Sequence, residues 1–325
     1  MSELHPGRAL VVTASEAAAM MGEDEYRSPY ALWAVKAGLA EPDDLEGNDP
    51  VFWGTVLEPA VAEGVRLRTG WNLRRCQAFV RHPDPAVQLG ATPDYLIVPL
   101  DKDGAPRPYH EWGVLEVKTM DLFRWLSLAE GAGAGEVMEL EGRTWRQPKK
   151  EPPPAYQVQV QVQLACTGLS WGVLAVLVGG NRLELYRYDR HDAAIAAIEA
   201  RSIEFMDLVR QRESPPIDWE RDADAVRGVY RDVAPGLIIE GDEALQAVAE
   251  RYRELGLMRA AAKKDRDILA ARILAAIGDA EVANLPNGRR ITASTVGPTY
   301  VEAHVRDKYR PVYVREPKQE KGRKR

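Results

Sequence analysis

The 325-residue chain has 45% hydrophobic residues and a formal net charge of −6. It can therefore fill one large core, or one domain with an appendage, and its overall charge gives no basic signature of nucleic-acid binding. No apolar run reaches the roughly 20 residues that cross a bilayer, and the first residues lack the charged and apolar regions of a signal peptide. Two cysteines, Cys76 and Cys166, are too few for a disulfide framework or a zinc-finger pattern and predict reduced thiols in a cytoplasmic protein.

Positive charge is concentrated near the C-terminal end. Residues 306–325 contain nine Lys or Arg and three Asp or Glu, a net charge of +6, which leaves −12 for the rest of a chain whose total is −6. Such a basic tail can contact phosphate groups or can be a solvated terminus, and both interpretations stay open. The acidic remainder is compatible with carboxylates clustered around a metal ion.

Helical and strand-like patterns alternate along the first two thirds of the chain, which predicts a mixed α/β or α+β protein. Helix start and stop signals predict helices at residues 15–21, 29–37, 54–68 and 192–211. Strand signals lie at residues 88–92, 95–100, 113–118, 171–178 and 183–188, and the last two form a predicted hairpin. Residues 130–154 contain GAGAG and KKEPPP, which predict a mobile loop or lid.

The last third of the chain is organised differently. Residues 242–277 are rich in Ala, Leu, Arg and Glu, with apolar residues at helical spacing, and predict one long helix. Residues 282–295 place an Asn287-Gly288 turn between two strand signals and predict a hairpin. We therefore expect a main domain at residues 1–216, a linker at 217–241, an accessory helix and hairpin at 242–305, and the basic tail at 306–325.

The segment Gly113-Val-Leu-Glu-Val-Lys-Thr119 places two charged residues in an otherwise apolar strand. Successive side chains of a strand point to opposite faces, so Glu116 and Lys118 share one face. An acid and a base in a buried strand are costly unless they are paired or bind a metal ion. A Glu–Lys pair on a solvated face is the alternative, because this spacing is common.

Asp94 follows Pro93 between two strand signals, where a hairpin could carry it alongside Glu116. A Pro-Asp pair is also a frequent turn, so the position alone has a structural explanation. Together, Asp94, Glu116 and Lys118 supply two hard oxygen ligands and one cation. This set suits Mg²⁺, which would activate water for attack on a phosphodiester, while Lys118 could orient or deprotonate that water and offset phosphate charge.

Five short segments occur in a set order within residues 8–213. They are Val12-Thr-Ala-Ser-Glu16, Trp53-Gly-Thr-Val-Leu-Glu58, Gly90-Ala-Thr-Pro-Asp94, Leu115-Glu-Val-Lys118 and Gln159-Val-Gln-Val-Gln163. Together they resemble the lambda-exonuclease/YqaJ-like viral recombinase family of the PD-(D/E)XK nuclease superfamily. The resemblance implies a restriction-endonuclease-like α/β (α+β) core, in which helices flank a central mixed sheet, with the long C-terminal helix and the β-hairpin as an appendage.

The resemblance also implies roles for single residues. Asp94 and Glu116 match metal-binding acids, and Lys118 matches the catalytic lysine. Gln159 matches a glutamine that borders the catalytic site, and the main-chain carbonyl of Val117 is expected as a further metal ligand. The implied cofactor is Mg²⁺, for which Mn²⁺ can substitute.

Three further residues depend on the same resemblance. Glu58 matches a helix carboxylate that approaches the metal, although a surface Glu followed by Pro59 at a helix start is equally consistent. Arg8 and Ser15 match positions that bind a 5′-terminal DNA phosphate in exonuclease relatives, and an Arg fork beside a Ser at a helix start suits a phosphate. A terminal surface Arg and an ordinary N-cap Ser are the alternative.

The segment Tyr156–Gln163 gives two conflicting predictions. Its polar and apolar residues alternate with period two, which favours a strand. The resemblance implies a helix, in which Tyr156, Gln159 and Gln163 would share one face. We predict a helix.

The resemblance thus implies an exonuclease that degrades linear double-stranded DNA in the 5′→3′ direction and leaves 3′ single-stranded tails. The alternatives are a structure-specific or single-strand endonuclease of the same fold, and a non-catalytic DNA-end or protein-binding module built on the helix at residues 242–277 and the hairpin beyond it. The expected partners are double-stranded DNA ends, a recombinase or single-strand annealing protein, and further copies of the chain, with no membrane.

Overall fold

The structure of the chain, a computed structural model, describes residues 10–42, 47–76, 78–128, 136–140 and 143–295. The predicted basic tail and the predicted phosphate ligand Arg8 lie outside the described residues. The chain divides into two compact units, Met1–Val229 and Tyr230–Arg325, and the domain limits expected from the sequence stay a prediction. In the described part of the chain, no helix has the length and apolar character needed to cross a membrane.

Helices and strands alternate in the first unit, and the second unit contains a long helix and a hairpin. The helices of the first unit are α1 (Ala17–Met21), α2 (Pro29–Lys36), α3 (Asp49–Thr69), α4 (Leu122–Ser127), α5 (Pro154–Thr167), α6 (Asp192–Gln211) and α7 (Ala223–Val229). Its strands are β1 (Val12–Thr13), β2 (Leu73–Arg75), β3 (Val80–Arg81), β4 (Leu89–Ala91), β5 (Tyr95–Ile97), β6 (Gly113–Met120), β7 (Val137–Leu140), β8 (Arg143–Arg146), β9 (Trp171–Val178) and β10 (Arg182–Asp189). The second unit contains α8 (Glu243–Ile277), β11 (Val282–Asn284) and β12 (Arg290–Thr292).

The central sheet has the strand order β10-β9-β6-β5-β2. Strands β6 and β9 are parallel and the other neighbours are antiparallel, so the sheet is mixed. Strand β9 consists of apolar residues and one glycine, a composition typical of a strand covered on both faces. The predicted hairpin at 171–188 is confirmed as β9–β10, and the predicted fold class, a central mixed sheet flanked by helices, is confirmed.

Helices cover both faces of this sheet. On one face, Val65 of α3 packs in a cluster with Leu115 of β6. On the other face, Leu164 of α5 packs in a cluster with Val114 of β6. Because side chains alternate along a strand, the even-numbered residues of β6, the charged pair included, point towards α5.

A smaller sheet with the order β1-β4-β3 packs with α1, α2 and α6 in a second core. Strands β4 and β5 flank Pro93 and Asp94, but they belong to different sheets, so the two predicted strands around Asp94 do not pair with each other. Strand β5 pairs antiparallel with β6 instead. This pairing, between two strands that follow one another in the chain, brings Asp94 beside Glu116.

The segment predicted as a mobile loop at residues 130–154 contains regular structure. Strands β7 and β8 form an antiparallel hairpin, and α5 begins at Pro154. Trp145 of β8 lies edge-on to Trp71 with ring centroids 5.3 Å apart, and its Nε1 donates to the carbonyl of Leu185 at 3.2 Å. The Gly-rich and Pro-rich ends of this segment suggested a loop, whereas packing of Trp145 holds its middle part against the core.

Helix α3 begins before the predicted start at residue 54. The Asn48 side chain caps it by accepting from the Val51 N–H at 3.2 Å, and Pro50 occupies the first turn. Pro59 therefore lies in the helix interior. The placement of Glu58 at a helix start is therefore wrong, because the start signal was Pro50 and not Pro59.

The second unit agrees with its predicted elements. The Asp242 side chain caps α8 by accepting from the Leu245 N–H at 2.8 Å, and none of the residues of α8 is buried. Strands β11 and β12 pair antiparallel around the predicted turn, where Gly288 has a φ of 78° that favours glycine. The long helix and the Asn-Gly hairpin are confirmed.

Candidate active site

Strand β6 carries Glu116 and Lys118 on its α5 side, as the alternation of strand residues predicts. Glu116 is only 2% exposed. The Nζ of Lys118 lies 2.6 Å from Glu116 Oε1, and the Lys118 side chain is 25% exposed. The alternative of a solvated Glu–Lys pair is therefore wrong, since the acid is buried and the base is only partly exposed.

Asp94 joins this pair through the antiparallel alignment of β5 with β6. Its Oδ2 accepts a hydrogen bond from the Val117 N–H at 2.8 Å. Burial and the charge of Glu116 raise the pKa of Asp94 to about 8. The Val117 hydrogen bond and the charge of Lys118 act in the opposite direction. The two acids are thus crowded enough to repel one another, a repulsion that a nearby cation would offset.

The ammonium group of Lys118 is held in its charged form. Burial alone would lower the pKa of Lys118, but the charge and hydrogen bond of Glu116, together with the charge of Asp94, raise this pKa above its ordinary value. The Nζ atom also lies over the ring of Tyr156, 5.6 Å from the centroid, where a cation is attracted to the aromatic face. The site therefore presents a fixed positive charge at its solvent side.

Helix α5 settles the conflict over the glutamine-rich segment, because the segment is helical and the strand prediction from alternation is wrong. The shared face of Gln159 and Gln163 meets Glu116. Gln159 Nε2 donates to Glu116 Oε1 and Gln163 Nε2 donates to Glu116 Oε2, each at 2.5 Å. The contact of Gln163 was not predicted, although its place on the same helical face was the signal that could have found it.

Glu58 does not converge with the other acids. It belongs to α3, across the sheet from α5, and its Oε1 lies 3.8 Å from Nη2 of Arg75. After burial and Glu116, the charge of Glu58 adds a smaller rise to the pKa of Asp94. Within the described part of the chain, no group of three or more His, Cys, Asp or Glu side chains is placed to hold a metal ion. Glu58 would have to turn away from Arg75 to complete such a group.

Ser15 is not the N-cap of α1. Glu16 occupies that position without capping the helix, and its carboxylate accepts from Thr13 and pairs with Lys36 at 2.7 Å. The Ser15 hydroxyl lies 3.1 Å from that of Thr13. The N-cap interpretation of Ser15 is wrong because the helix starts one residue later. With Arg8 outside the described residues, the phosphate pocket stays a prediction.

Comparison with protein families identifies the main unit. The family model of the YqaJ-like viral recombinase domain matches residues 3–170. The chain belongs to this family. The resemblance inferred from five short segments is thereby confirmed, and the YqaJ-like match covers the whole of the site described above, from Glu58 to Gln163.

Relatives of this YqaJ-like chain include an uncharacterized protein YqaJ from Bacillus subtilis (strain 168), with 29% identity over 207 residues. The aligned part covers 63% of this chain and 55% of that protein, so the chain spans about half the length of the curated relative. Among solved structures, the alkaline exonuclease LHK-Exo from Laribacter hongkongensis is 21% identical, with a TM-score of 0.42 over 67% of this chain and 95% of that chain. Its complex with dAMP is 22% identical, with a TM-score of 0.44 over 68% and 96% of the two chains.

Proposed function

We propose that this YqaJ-like protein is a Mg²⁺-dependent exonuclease that hydrolyses phosphodiester bonds of linear double-stranded DNA. The observation that carries the proposal is the meeting of Asp94, Glu116 and Lys118 where β5 joins β6. Buried ionic groups of this kind add little stability compared with apolar side chains of similar volume. Their presence in the core of a viral recombinase domain therefore supports a catalytic role.

The donors near these residues fit Mg²⁺, for which Mn²⁺ would substitute. Asp94 and Glu116 offer hard carboxylate oxygens, and the repulsion between them would fall on binding a divalent cation. The N–H and the carbonyl of a strand residue point to the same edge, so the Val117 carbonyl is directed to the Asp94 side. Glu58 is the remaining candidate ligand, once it leaves Arg75. A bound ion would activate water and stabilise charge on the phosphodiester.

Lys118 supplies positive charge to the phosphate under attack. Its raised pKa keeps the ammonium protonated near neutral pH. This favours orientation of the attacking water and stabilisation of phosphate charge over proton abstraction by the lysine. Gln159 shares Glu116 Oε1 with Lys118 and so helps to hold that carboxylate in place.

We infer the 5′→3′ direction from Arg8 and Ser15, whose sequence positions match a 5′-phosphate pocket. Degradation in this direction leaves 3′ single-stranded tails, which are substrates for phage-type recombination or single-strand annealing. The description of the family as viral recombinases agrees with this role. The proposed partners are DNA ends, an annealing protein or recombinase, and other copies of the chain.

The experiment that tests the proposal uses a linear duplex labelled at either the 5′ or the 3′ end. We expect the purified protein to release nucleotides from 5′ ends in Mg²⁺ or Mn²⁺ and to be inactive in EDTA. Arg8→Ala should slow degradation of a 5′-phosphorylated duplex more than degradation of a 5′-hydroxyl duplex, because only the former offers the charge that Arg8 would bind.

Covalently closed circular DNA provides the control, because a circle has no end. Nicking of the circle at the rate of the linear duplex would replace the exonuclease with an endonuclease of the same fold. Release of nucleotides first from 3′ ends would reverse the proposed direction, and absence of metal-dependent cleavage on any DNA would exclude the proposed function.

A further inference from the structure

We propose that Gln163 is a positioning residue that fixes the Glu116 carboxylate for metal binding, an inference that rests on the proposed function. Gln163 is completely buried within α5. Its Nε2 donates to Glu116 Oε2 at 2.5 Å. In the described part of the chain its own Oε1 has no hydrogen-bond partner. The hydrogen bond to Glu116 is therefore the specific polar contact of this side chain.

The two carboxylate oxygens of Glu116 differ in the number of hydrogen bonds that they accept. Oε1 accepts from Lys118 and Gln159, which occupies both of its lone-pair directions. Among the described residues, Gln163 alone donates to Oε2. Oε2 thus retains one free lone-pair direction in which a cation could bind. Gln163 determines how this oxygen is oriented. Donors at both oxygens, from β6 and from α5, prevent the carboxylate plane from rotating.

The unpartnered oxygen of Gln163 shows that its side chain is directed to Glu116 and is not satisfied by its own surroundings. A buried acceptor without a donor costs on the order of 1–3 kcal/mol, and this cost accompanies the hydrogen bond that the amide nitrogen gives to the Glu116 carboxylate. The neighbouring Gln161 is the contrast. Its Nε2 donates to the carbonyl of Asp189 and its Oε1 accepts from the His191 N–H, each at 2.9 Å. Both the nitrogen and the oxygen of the Gln161 side chain thus have hydrogen-bond partners, as expected of a structural residue. Gln163 instead directs its nitrogen to Glu116, while among the described residues its oxygen has no partner.

The test compares Mn²⁺ binding by calorimetry in the full-length wild type and in two matched variants, Gln163→Met and Gln161→Met. We expect Gln163→Met to weaken Mn²⁺ binding by about 10–100-fold, the effect typical of residues that orient a metal ligand. DNA cleavage by this variant should recover at higher metal concentration. Gln161→Met should lower the thermal unfolding midpoint and leave Mn²⁺ affinity at the wild-type value.

Wild-type Mn²⁺ affinity in a folded Gln163→Met variant would overturn the inference, and so would an equal loss of affinity in Gln161→Met. If Gln163→Met does not fold, Gln163→Asn, which retracts the same amide from Glu116, is expected to give the same loss of affinity. A wild type that binds Mn²⁺ but leaves all DNA intact would exclude the proposed nuclease, while the effect of Gln163 on Mn²⁺ affinity would still decide its positioning role. A wild type that binds no Mn²⁺ overturns the positioning role itself.

Discussion

Helices α5 and α8 represent two ways in which a sequence becomes helical. Helix α5 has 14 residues, half of which are buried, and its alternating Val and Gln residues favour a strand when considered alone. Helix α8 has 35 residues, none of them buried, with an Asp cap and many strong helix formers. The surroundings determine the first helix, and local propensity determines the second.

The same difference in burial separates the candidate active site beside α5 from the exposed helix α8. Around α5, ionic groups are removed from water, where charges interact strongly and pKa values shift. Along α8, the ion pairs lie on the surface, where an exposed pair contributes about 1 kcal/mol or less. We therefore expect matched substitutions to have large effects beside α5 and small effects on α8.

The largest contrast is expected between two lysines. Lys118→Ala should reduce the rate of DNA cleavage by about 10²–10⁴-fold, because it removes the positive charge beside the attacked phosphate. Lys263→Ala, on α8, removes a side chain that is 80% exposed and whose Nζ lies 3.5 Å from Asp267 Oδ2, and should leave the rate unchanged. Initial rates on end-labelled duplex measure both. Wild-type cleavage by Lys118→Ala would refute the assignment of the active site.

The next contrast concerns the dependence of thermal stability on pH, measured in the presence of EDTA. Folding raises the pKa of Asp94 to about 8, from an unfolded value of roughly 4, so folding favours the protonated acid. The stability that this provides is complete below the unfolded pKa and is lost as pH rises through about 8. Wild type should therefore unfold at lower temperature at pH 9 than at pH 6.

Two Asn variants test whether the ionisation of Asp94 causes this dependence of stability on pH. Asp94→Asn should flatten the dependence between pH 6 and 9, because the amide does not ionise. Asp267→Asn, on the exposed face of α8, should retain the wild-type profile. Thermal unfolding followed by circular dichroism gives the midpoints, and an equally steep loss of stability in Asp94→Asn would show that another group titrates.

The sequence predicted what depends on neighbouring residues. The common face of Glu116 and Lys118 follows from the two-residue period of a strand, and the limits of α6 and α8 follow from their caps and stop signals. The glutamine face of α5 required the family resemblance, since its alternation pointed to a strand.

What depends on distant segments was not predictable in the same way. The sequence placed Asp94 where a hairpin could carry it alongside Glu116, and the pairing of β5 with β6 provides that approach, but it gave no sign that β4 would join another sheet. The orientation of Glu58 towards Arg75 depends on where α3 crosses the sheet. The contact of Gln163 with Glu116 needs the packing of α5 on β6, which no local pattern encodes.

A smaller contrast is expected between a buried leucine of α5 and an exposed leucine of α8. Leu164 of α5 is completely buried, and Leu164→Ala should lower the free energy of unfolding by about 2–5 kcal/mol through lost apolar burial and a cavity. Leu257 of α8 is 64% exposed, and Leu257→Ala should change the same quantity by about 0.5 kcal/mol or less. Urea denaturation measures both. Comparable losses would mean that α8 is covered by a partner under the conditions of the experiment.

The smallest contrast uses one substitution at two glycines and predicts opposite signs. Among the described residues, a Cβ at Gly256 of α8 would meet no atom within 4 Å beyond its own helix turn, so Gly256→Ala should stabilise the helix by about 0.5–1 kcal/mol through the lower conformational entropy of alanine. A Cβ at Gly172 of β9 would collide with the Val114 side chain and lie 3.1 Å from Val160 of α5. Gly172→Ala should therefore destabilise the protein by about 1–3 kcal/mol.

Hydrogen exchange distinguishes the origin of each effect. Amides of α8 should exchange more slowly in Gly256→Ala, while amides of β9 and α5 should exchange faster in Gly172→Ala. Intrinsic helix propensity alone determines the effect of a substitution only where the substituted residue packs against no neighbouring element. If Gly256→Ala instead destabilised the protein, the backbone around residue 256 would have to approach another surface closely, and α8 would then depend on tertiary contacts as α5 does.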